Sequence, residues 1–490
     1  MKNVLKTIFF LSTLFVVVSC AKDQGNYDYS KVNRVQVDVK DTVYTVQQLD
    51  EINVKPTLVE TLPGNDEYTY SWIAYPTTVS IGEAFFGEAS SAVTVLSTAK
   101  DLKAVVTLSP KDYYLQYTVT NKVNGVKTIK RYLMKVVGAF YEGWLVLHNK
   151  ANTAKLSFIR RDNELFMDPV EQINKLEFNG KGLGVYSSVI TAMSQINVYT
   201  DQGTYQFNAD DFTLEKQDAD LYHSKISYVN PFHSVNHINT DQYLISDGKV
   251  YATIAPNFGV PGKYSASFSG EPGYIFPFLF CGDMYYMSYY DNKNMRFLLA
   301  DFNSRYLVPF SNGLAGSYEV ANVGKTMIAA DLGYDNVYYA VMKDANGFYC
   351  YLYNPNSPFP AEQSQKIAQS PDIENATAFA ASSMLQHLYY VAGNKIYLYD
   401  IAANSSRKLY EFPSSKSIKD IKMLKGKRWS TNVDLTYNKQ LVVATNEEQA
   451  GEVYYFDLSP TGDIVKNTYS KVYKGFGEIV QLNYRNPNQD

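Results

Sequence analysis

One kind of segment recurs through the last two thirds of the chain. A run of four to seven apolar or aromatic residues is followed by a short polar turn and a second strand-like run. The copies are Trp144-Leu145-Val146-Leu147, Ile196-Asn197-Val198-Tyr199, Tyr243-Leu244-Ile245, Met284-Tyr285-Tyr286-Met287, Val337-Tyr338-Tyr339-Ala340, Leu388-Tyr389-Tyr390-Val391 and Leu441-Val442-Val443-Ala444. Anchored at residues 145, 196, 243, 285, 338, 389 and 441, they lie 51, 47, 42, 53, 51 and 52 residues apart. Seven copies near one length predict a seven-bladed β-propeller over residues 139–490.

The turns agree with this reading. Asp201-Gln202-Gly203, Asp247-Gly248, Asp291-Asn292-Lys293-Asn294, Ala345-Asn346-Gly347 and Gly393-Asn394 follow their anchors closely, and these residue types tolerate the positive φ of tight hairpins. Most copies have an apolar strand before the anchor: Ser188 to Met193, Ile275 to Cys281, Thr326 to Ala330 and Ala376 to Ala381. The first copy lacks one, whereas the last is followed by an orphan strand, Glu478 to Tyr484. The C-terminal strand is therefore expected to complete the first blade and close the ring, which removes an exposed edge.

Composition narrows the fold class to all-β. The 490 residues include 43 Tyr, 26 Phe and 3 Trp, and only 19% are charged. Disordered chains are poor in aromatics and rich in charge, and coiled coils are rich in Ala, Glu, Lys and Leu. Tyr, Phe, Val and Thr favour strands. The tyrosine pairs Tyr285-Tyr286, Tyr338-Tyr339, Tyr389-Tyr390 and Tyr454-Tyr455 fall in blade strands, where alternation sends one ring into each layer between blades. The net charge of -4 offers no basic footprint for nucleic acid. The basic stretch Lys419 to Arg428 is broken by apolar residues and reads as a solvated face of a strand pair.

Residues 31–138 change scale. Val35-Gln36-Val37-Asp38-Val39 and Tyr68 to Ile73 alternate cleanly, with further runs at Ala104 to Leu108, Leu115 to Thr120 and Lys130 to Val137. Turn residues at Leu62 to Asp66 and Val123-Asn124-Gly125 separate them. Such spacing predicts a β-sandwich. It is expected to serve as a spacer.

The N-terminus reads as an address. Lys2 and Lys6 precede an apolar run from Ile8 to Val18 that is too short to span a bilayer, and Val17-Val18-Ser19-Cys20 follows. This pattern resembles the bacterial lipobox, which implies a signal peptide over 1–19 and lipidation of Cys20. Residues 20–30 are polar and read as a tether. Ala21 to Tyr29 resembles the opening of Bacteroidetes surface lipoproteins of the PKD-like family. Trp72 in a mid-domain strand resembles the core Trp of immunoglobulin-like folds, and Tyr113 to Thr120 resembles the closing strands of PKD-like domains. The resemblance implies an outer-membrane location, facing the cell exterior, beside a starch-utilisation-type TonB-dependent transporter. It implies a nutrient-uptake role in which a glycan or peptide is captured.

The chemistry-bearing residues are sparse. Cys281 and Cys350 form no CxxC pair and are expected as buried thiols rather than a disulfide. His223, His233 and His237 cluster in sequence, but a metal site needs converging ligands, so no metal and no cofactor is expected. Asp331, Asp335 and Asp434 are acidic candidates near the axis, though no spacing singles them out. Nucleophile-elbow, P-loop and zincin motifs are absent from the sequence. The protein is therefore expected not to be an enzyme. The binding residues are expected on two long loops: Tyr222, His223, Tyr228, Phe232 and His233 on one, and Tyr264, Phe268 and Tyr274 on the other, which also carries Phe258. Aromatic rings with a polar tip bind sugars or peptides at low entropy cost. Two other classes compete: a propeller glycosidase or lyase, and a protein-interaction or adhesion scaffold.

Overall fold

The alternation of the N-terminal region becomes nine short strands. The computed structural model describes residues 32–62, 64, 66–80, 92–190, 193–235, 241–253, 262–270, 272–282, 286–301, 305–310, 316–425 and 437–486. Cys20, the tether, Phe258, His237 and Asp434 lie outside the described residues. Of the described residues, 32–44, 52–104 and 113–134 form one compact unit, and 45–51, 105–112 and 135–486 form the other. Three short stretches of the expected spacer, 45–51, 105–112 and 135–138, thus belong to the second unit.

In the first unit, one sheet has the order Val43–Gln47, Lys127–Val137, Lys111–Asn121, Tyr68–Pro76, Thr94–Ser97. Val35–Asp38 pairs with Thr57–Glu60, and Glu51–Val54 with Leu102–Val105. Tyr113, Leu115, Tyr117 and Val119 alternate into the interior of their strand. Trp72 is wholly buried and stacks on Tyr117 at 4.1 Å between centroids, while its Nε1 donates to Lys100 O at 3.1 Å. A buried indole needs both an apolar bed and an acceptor, and this site supplies them. The unit is a PKD-like β-sandwich.

Seven sheets follow, one for each sequence repeat. Written from the inner strand outward, blade 1 is Glu478–Arg485, Gly143–Lys150, Thr153–Arg160, Leu165–Phe166. Blade 2 is Gly182–Ile190, Met193–Thr200, Thr204–Asn208, Leu214–Gln217. Blade 3 has three strands among the described residues: Phe232–Val235, Gln242–Ser246, Lys249–Ala252. Blade 4 is Phe280–Cys281, Tyr286–Asp291, Arg296–Asp301, Tyr306–Pro309, with Ser269–Gly270 added in parallel at its outer edge. Blade 5 is Thr326–Leu332, Tyr338–Asp344, Gly347–Tyr353, Ala361–Lys366. Blade 6 is Ala376–Ala381, His387–Ala392, Lys395–Asp400, Ser405–Glu411, and blade 7 is Ser417–Met423, Gln440–Glu447, Ala450–Asp457, Lys471–Phe476. The fold is an all-β sandwich followed by a seven-bladed β-propeller. Blade 4 differs from the sequence reading: Pro277 has no N–H to give and the backbone bends there with Phe278 N bonded to Phe276 O, so the inner strand is split into an Ile275–Asp291 bridge and the Phe280–Cys281 pairing.

Blade 1 takes its inner strand from the far end of the chain. Glu478–Arg485 runs antiparallel to Gly143–Lys150 in continuous register apart from one bulge. Arg485, fully buried, donates to the carbonyls of Phe140 and Tyr141 and to Asp210. Glu142 accepts from Arg161, Tyr484 and Tyr437. Apolar faces fill the layers between blades. Tyr338 enters the layer between blades 4 and 5, and Tyr339 the next one; Tyr454 and Tyr455 likewise part to opposite faces. Strand alternation thus turns a tyrosine pair into two separate core contacts.

Candidate functional site

The inner strands place a polar cluster on the propeller axis. Bulges interrupt the inner-strand ladders of blades 1, 2, 5, 6 and 7. A bulge re-aims the side chains that follow it. In blade 7 the bulge falls between Ile418 and Asp420, and the Asp420 carboxylate then reaches blade 1, where Oδ2 accepts Leu482 N–H at 2.9 Å. Asp331 of blade 5 likewise accepts Ala381 N–H of blade 6 at 2.8 Å. Gln481 and Asn483 of blade 1 accept Val185 and Ser187 N–H of blade 2 at 2.8 and 2.9 Å. One device recurs: an acceptor on one inner strand holds the backbone of the next blade.

Two lysines complete the cluster. Lys422 lies 3.3 Å from Asp420, and Lys425 lies 2.6 Å from Asp331 and donates to Leu332 O at 2.6 Å. Lys425 follows the inner strand of blade 7 and Asp331 belongs to blade 5, so this pair passes over blade 6. Lys422 also lies within electrostatic reach of Asp331 and of the Tyr186 hydroxyl in blade 2, neither on a blade adjacent to its own. Groups of non-neighbouring blades can meet only across the axis. The cluster therefore lines the central channel, and the Lys422 side chain remains 38% exposed there, that of Lys425 20%. Burial lowers the Lys425 ammonium from its ordinary value, with Asp331 opposing and Lys422 assisting. For Lys422, burial also opposes the charge, but Asp420, Asp331 and Tyr186 outweigh it and hold the ammonium above its ordinary value. Burial pushes the Tyr186 phenol up to about 12, so it stays neutral and donates to Pro231 O at 2.8 Å.

The expected loop residues behave otherwise. Tyr222, His233, Tyr264 and Phe268 are buried, which corrects their reading as exposed binding groups. Tyr222 stacks on Tyr264 at 5.3 Å and bonds Thr204 through its hydroxyl, and Phe268 packs between Tyr243 and Tyr289. His233 bonds Gln242, and burial drives its imidazole down to about 4. These loops double back onto the blades because their apolar rings fill layers that the short strands of blades 3 and 4 leave open. Of the other four, Tyr228 is half-buried and its hydroxyl donates to Asp218 at 2.7 Å, and Phe232 is half-buried against Tyr186 and Phe278. Tyr274 is 40% exposed and lies over Gly248, where a Cβ would come within 2.4 Å of the ring. His223 is exposed and is not brought beside His233 by any contact among the described residues.

The acidic candidates also separate. Asp331 joins the axial cluster, whereas Asp335 sits on an exposed turn with φ of 57°. Cys281 and Cys350 form no disulfide among the described residues; Cys281 is half-buried rather than buried as expected, and burial raises Cys350 to about 12. The axial lysines were hidden in the stretch read as a solvated strand face. The signal that could have found them is the charge alternation Lys419, Asp420, Lys422 inside the strand that precedes the seventh anchor.

The PKD-like family model matches residues 20–182, a third of the chain that runs from the tether through most of blade 1. No curated protein matches the sequence. Among solved structures, a quinonprotein alcohol dehydrogenase-like protein from Bacteroides thetaiotaomicron is similar over 90% of this chain and 96% of its own, with 12% identity and a TM-score of 0.53. AztD from Citrobacter koseri aligns over 86% of this chain and 98% of its own at 9% identity, with a TM-score of 0.33. At such identities the likeness to the Bacteroides protein concerns the fold alone, and the second alignment carries no argument.

Proposed function

We propose that this is a non-catalytic lipoprotein, held by Cys20 to the outer membrane and facing outward, whose propeller captures a glycan or peptide for a TonB-dependent transporter. The observation that carries the binding reading is the state of the axial carboxylates. Asp331 and Asp420 each accept two backbone N–H groups and a lysine. A glycosidase acid or base must be free to exchange a proton with substrate, whereas these carboxylates hold blades together. Tyr334 and Met384, both exposed, stand on the turns that follow the inner strands of blades 5 and 6. A concave lumen lined by a few polar groups suits a binding site.

The membrane and transporter parts of this reading rest on the lipobox resemblance and the PKD-like match. Calorimetry of the mature protein against glycan and peptide panels tests the binding part: saturable binding without product supports it, and released product overturns it. Cys20→Ala should release the protein from the membrane fraction. A wild-type chain that resists protease on intact cells would overturn the outward orientation, and failure to co-purify with an outer-membrane transporter would overturn the partner.

A further inference from the structure

The wall and the lumen of the channel divide the hydrogen-bonding capacity of the axial cluster between them. All four inner-strand acceptors, Asp331, Asp420, Gln481 and Asn483, spend their oxygens on backbone N–H groups of the wall. Asp331 takes a second one from Leu332, and Asp420 from Ile421. A carboxylate that accepts two backbone N–H bonds has much of its charge answered by those dipoles. The ammonium groups are less engaged. Lys422 has three donors and one oxygen at 3.3 Å, and the rest of its donors have no partner among the described residues. Lys425 has two oxygens at 2.6 Å for its three donors. The lumen thus offers the spare N–H donors of two ion-paired lysines.

Each ammonium keeps a donor beyond its Asp partner, and in a channel walled by low-dielectric protein such donors attract the oxygens of an anion. We infer that the captured ligand carries a carboxylate, and that this carboxylate enters the axial channel to bind the ammonium groups of Lys422 and Lys425. The inference rests on the binding reading above and names the ligand chemistry of that same site. A uronic acid residue of a glycan and the C-terminus of a peptide both supply such a group.

The experiment separates these sources and separates this inference from the binding reading. Calorimetry on the mature chain compares tri-galacturonate with galactotriose, and N-acetyl-alanyl-alanine with its C-terminal amide. The acid of at least one pair should bind at least tenfold more tightly than its neutral partner, and the difference should shrink as NaCl rises from 50 to 500 mM, because salt screens exposed charge. Lys422→Met should abolish the tenfold preference, and Lys422→Arg should keep it. Lys425 joins two blades, so Lys425→Met is a risk to folding; the exposed, loosely held Lys422 is the informative position, with a thermal melt to show that each variant is folded. Equal binding of acid and neutral partner, or an acid preference that survives in Lys422→Met, overturns the inference. In either case capture of neutral glycans or peptides would leave the binding reading standing. Absence of binding to both pairs and to the wider panels overturns both.

Discussion

The layer between blades 6 and 7 and the layer between blades 2 and 3 solve the same packing problem with different materials. Between blades 6 and 7, Val391, Ile396, Leu398, Ile421, Leu441, Val443 and Phe456 meet with no solvent exposure, and Phe412 and Tyr454 complete the aromatic contacts. Between blades 2 and 3 an apolar cluster of Tyr199, Tyr222, Leu244, Tyr251 and Tyr264 shares the layer with the polar residues Ser188, Gln195, Asn197, Gln206, His233 and Gln242, all buried. Gln242 links Gln195 at 2.6 Å to His233 at 3.2 Å, and Gln206 bonds Asn197 at 3.0 Å. Ser188 Oγ, Asn197 Nδ2, Gln206 Oε1 and His233 Nδ1 have no partner among the described residues. Each such atom costs about 1–3 kcal/mol, whereas a buried Leu or Phe side chain contributes about 1.5–3 kcal/mol. One ring therefore contains an apolar seam and a mixed one, weakened in its polar part. The backbone ladder makes the blades; the residues between ladders decide how firmly neighbours hold.

Five measurements would break or sharpen this contrast. Truncation after Gly477 removes the inner strand of blade 1 and opens the ring, so both seams should be lost together; a melt equal to that of the full chain would show that closure does not matter. Phe456→Ala should lower the unfolding free energy by about 3–5 kcal/mol in urea, as expected for a fully packed ring. A small change would mean that the apolar seam is not the strong one.

The third measurement uses pH. His233 is driven by burial from 6.5 to about 4. Above pH 6.5 it is neutral folded and unfolded. Between 6.5 and about 4 only the unfolded chain takes the proton, so stability falls as pH falls through this window, by up to about 3 kcal/mol. His233→Gln should flatten that part of the pH dependence, and an unchanged slope would assign it to other groups.

How much of this was legible in the chain depends on which strand face a residue serves. The blade strands were legible because their ladders repeat near 50 residues and their turns carry Asp, Asn and Gly, as at Asp247-Gly248. The sandwich core was legible through Trp72. Which seam is polar was not, because Gln195 and Asn197 alternate with Ile196 and Val198 as solvent-facing residues would, and alternation alone does not say whether the other side meets water or another blade. The same ambiguity made Tyr222, Tyr264 and Phe268 look exposed and concealed Lys422 in the channel. Long-range partners fix those environments, and local pattern contains no measure of them.

The two smallest effects probe the polar seam directly. Gln242→Ala leaves Gln195 and His233 without their shared partner and should cost about 1–3 kcal/mol by urea denaturation. The double change Asn197→Leu with Gln206→Met removes both members of a pair together with their unpartnered atoms, and should be near neutral or stabilising. A loss as large as that of Phe456→Ala would show that the polar seam is as firmly built as the apolar one.

The origin of the innermost strand of blade 1 bears on how the molecule comes into being. Tyr484 meets Glu142 across 342 residues of chain. Contacts of such separation form slowly, because the intervening loop must be ordered first. Until residues 478–485 arrive, the Gly143–Lys150 strand shows a bare edge, and Gln481, Asn483 and the backbone that Asp420 grips are missing from the axis. Blades can therefore assemble one after another as the chain is made, but the lumen appears only in the last step. A chain stalled before that step displays an unpaired strand to its neighbours, a ready template for aggregation.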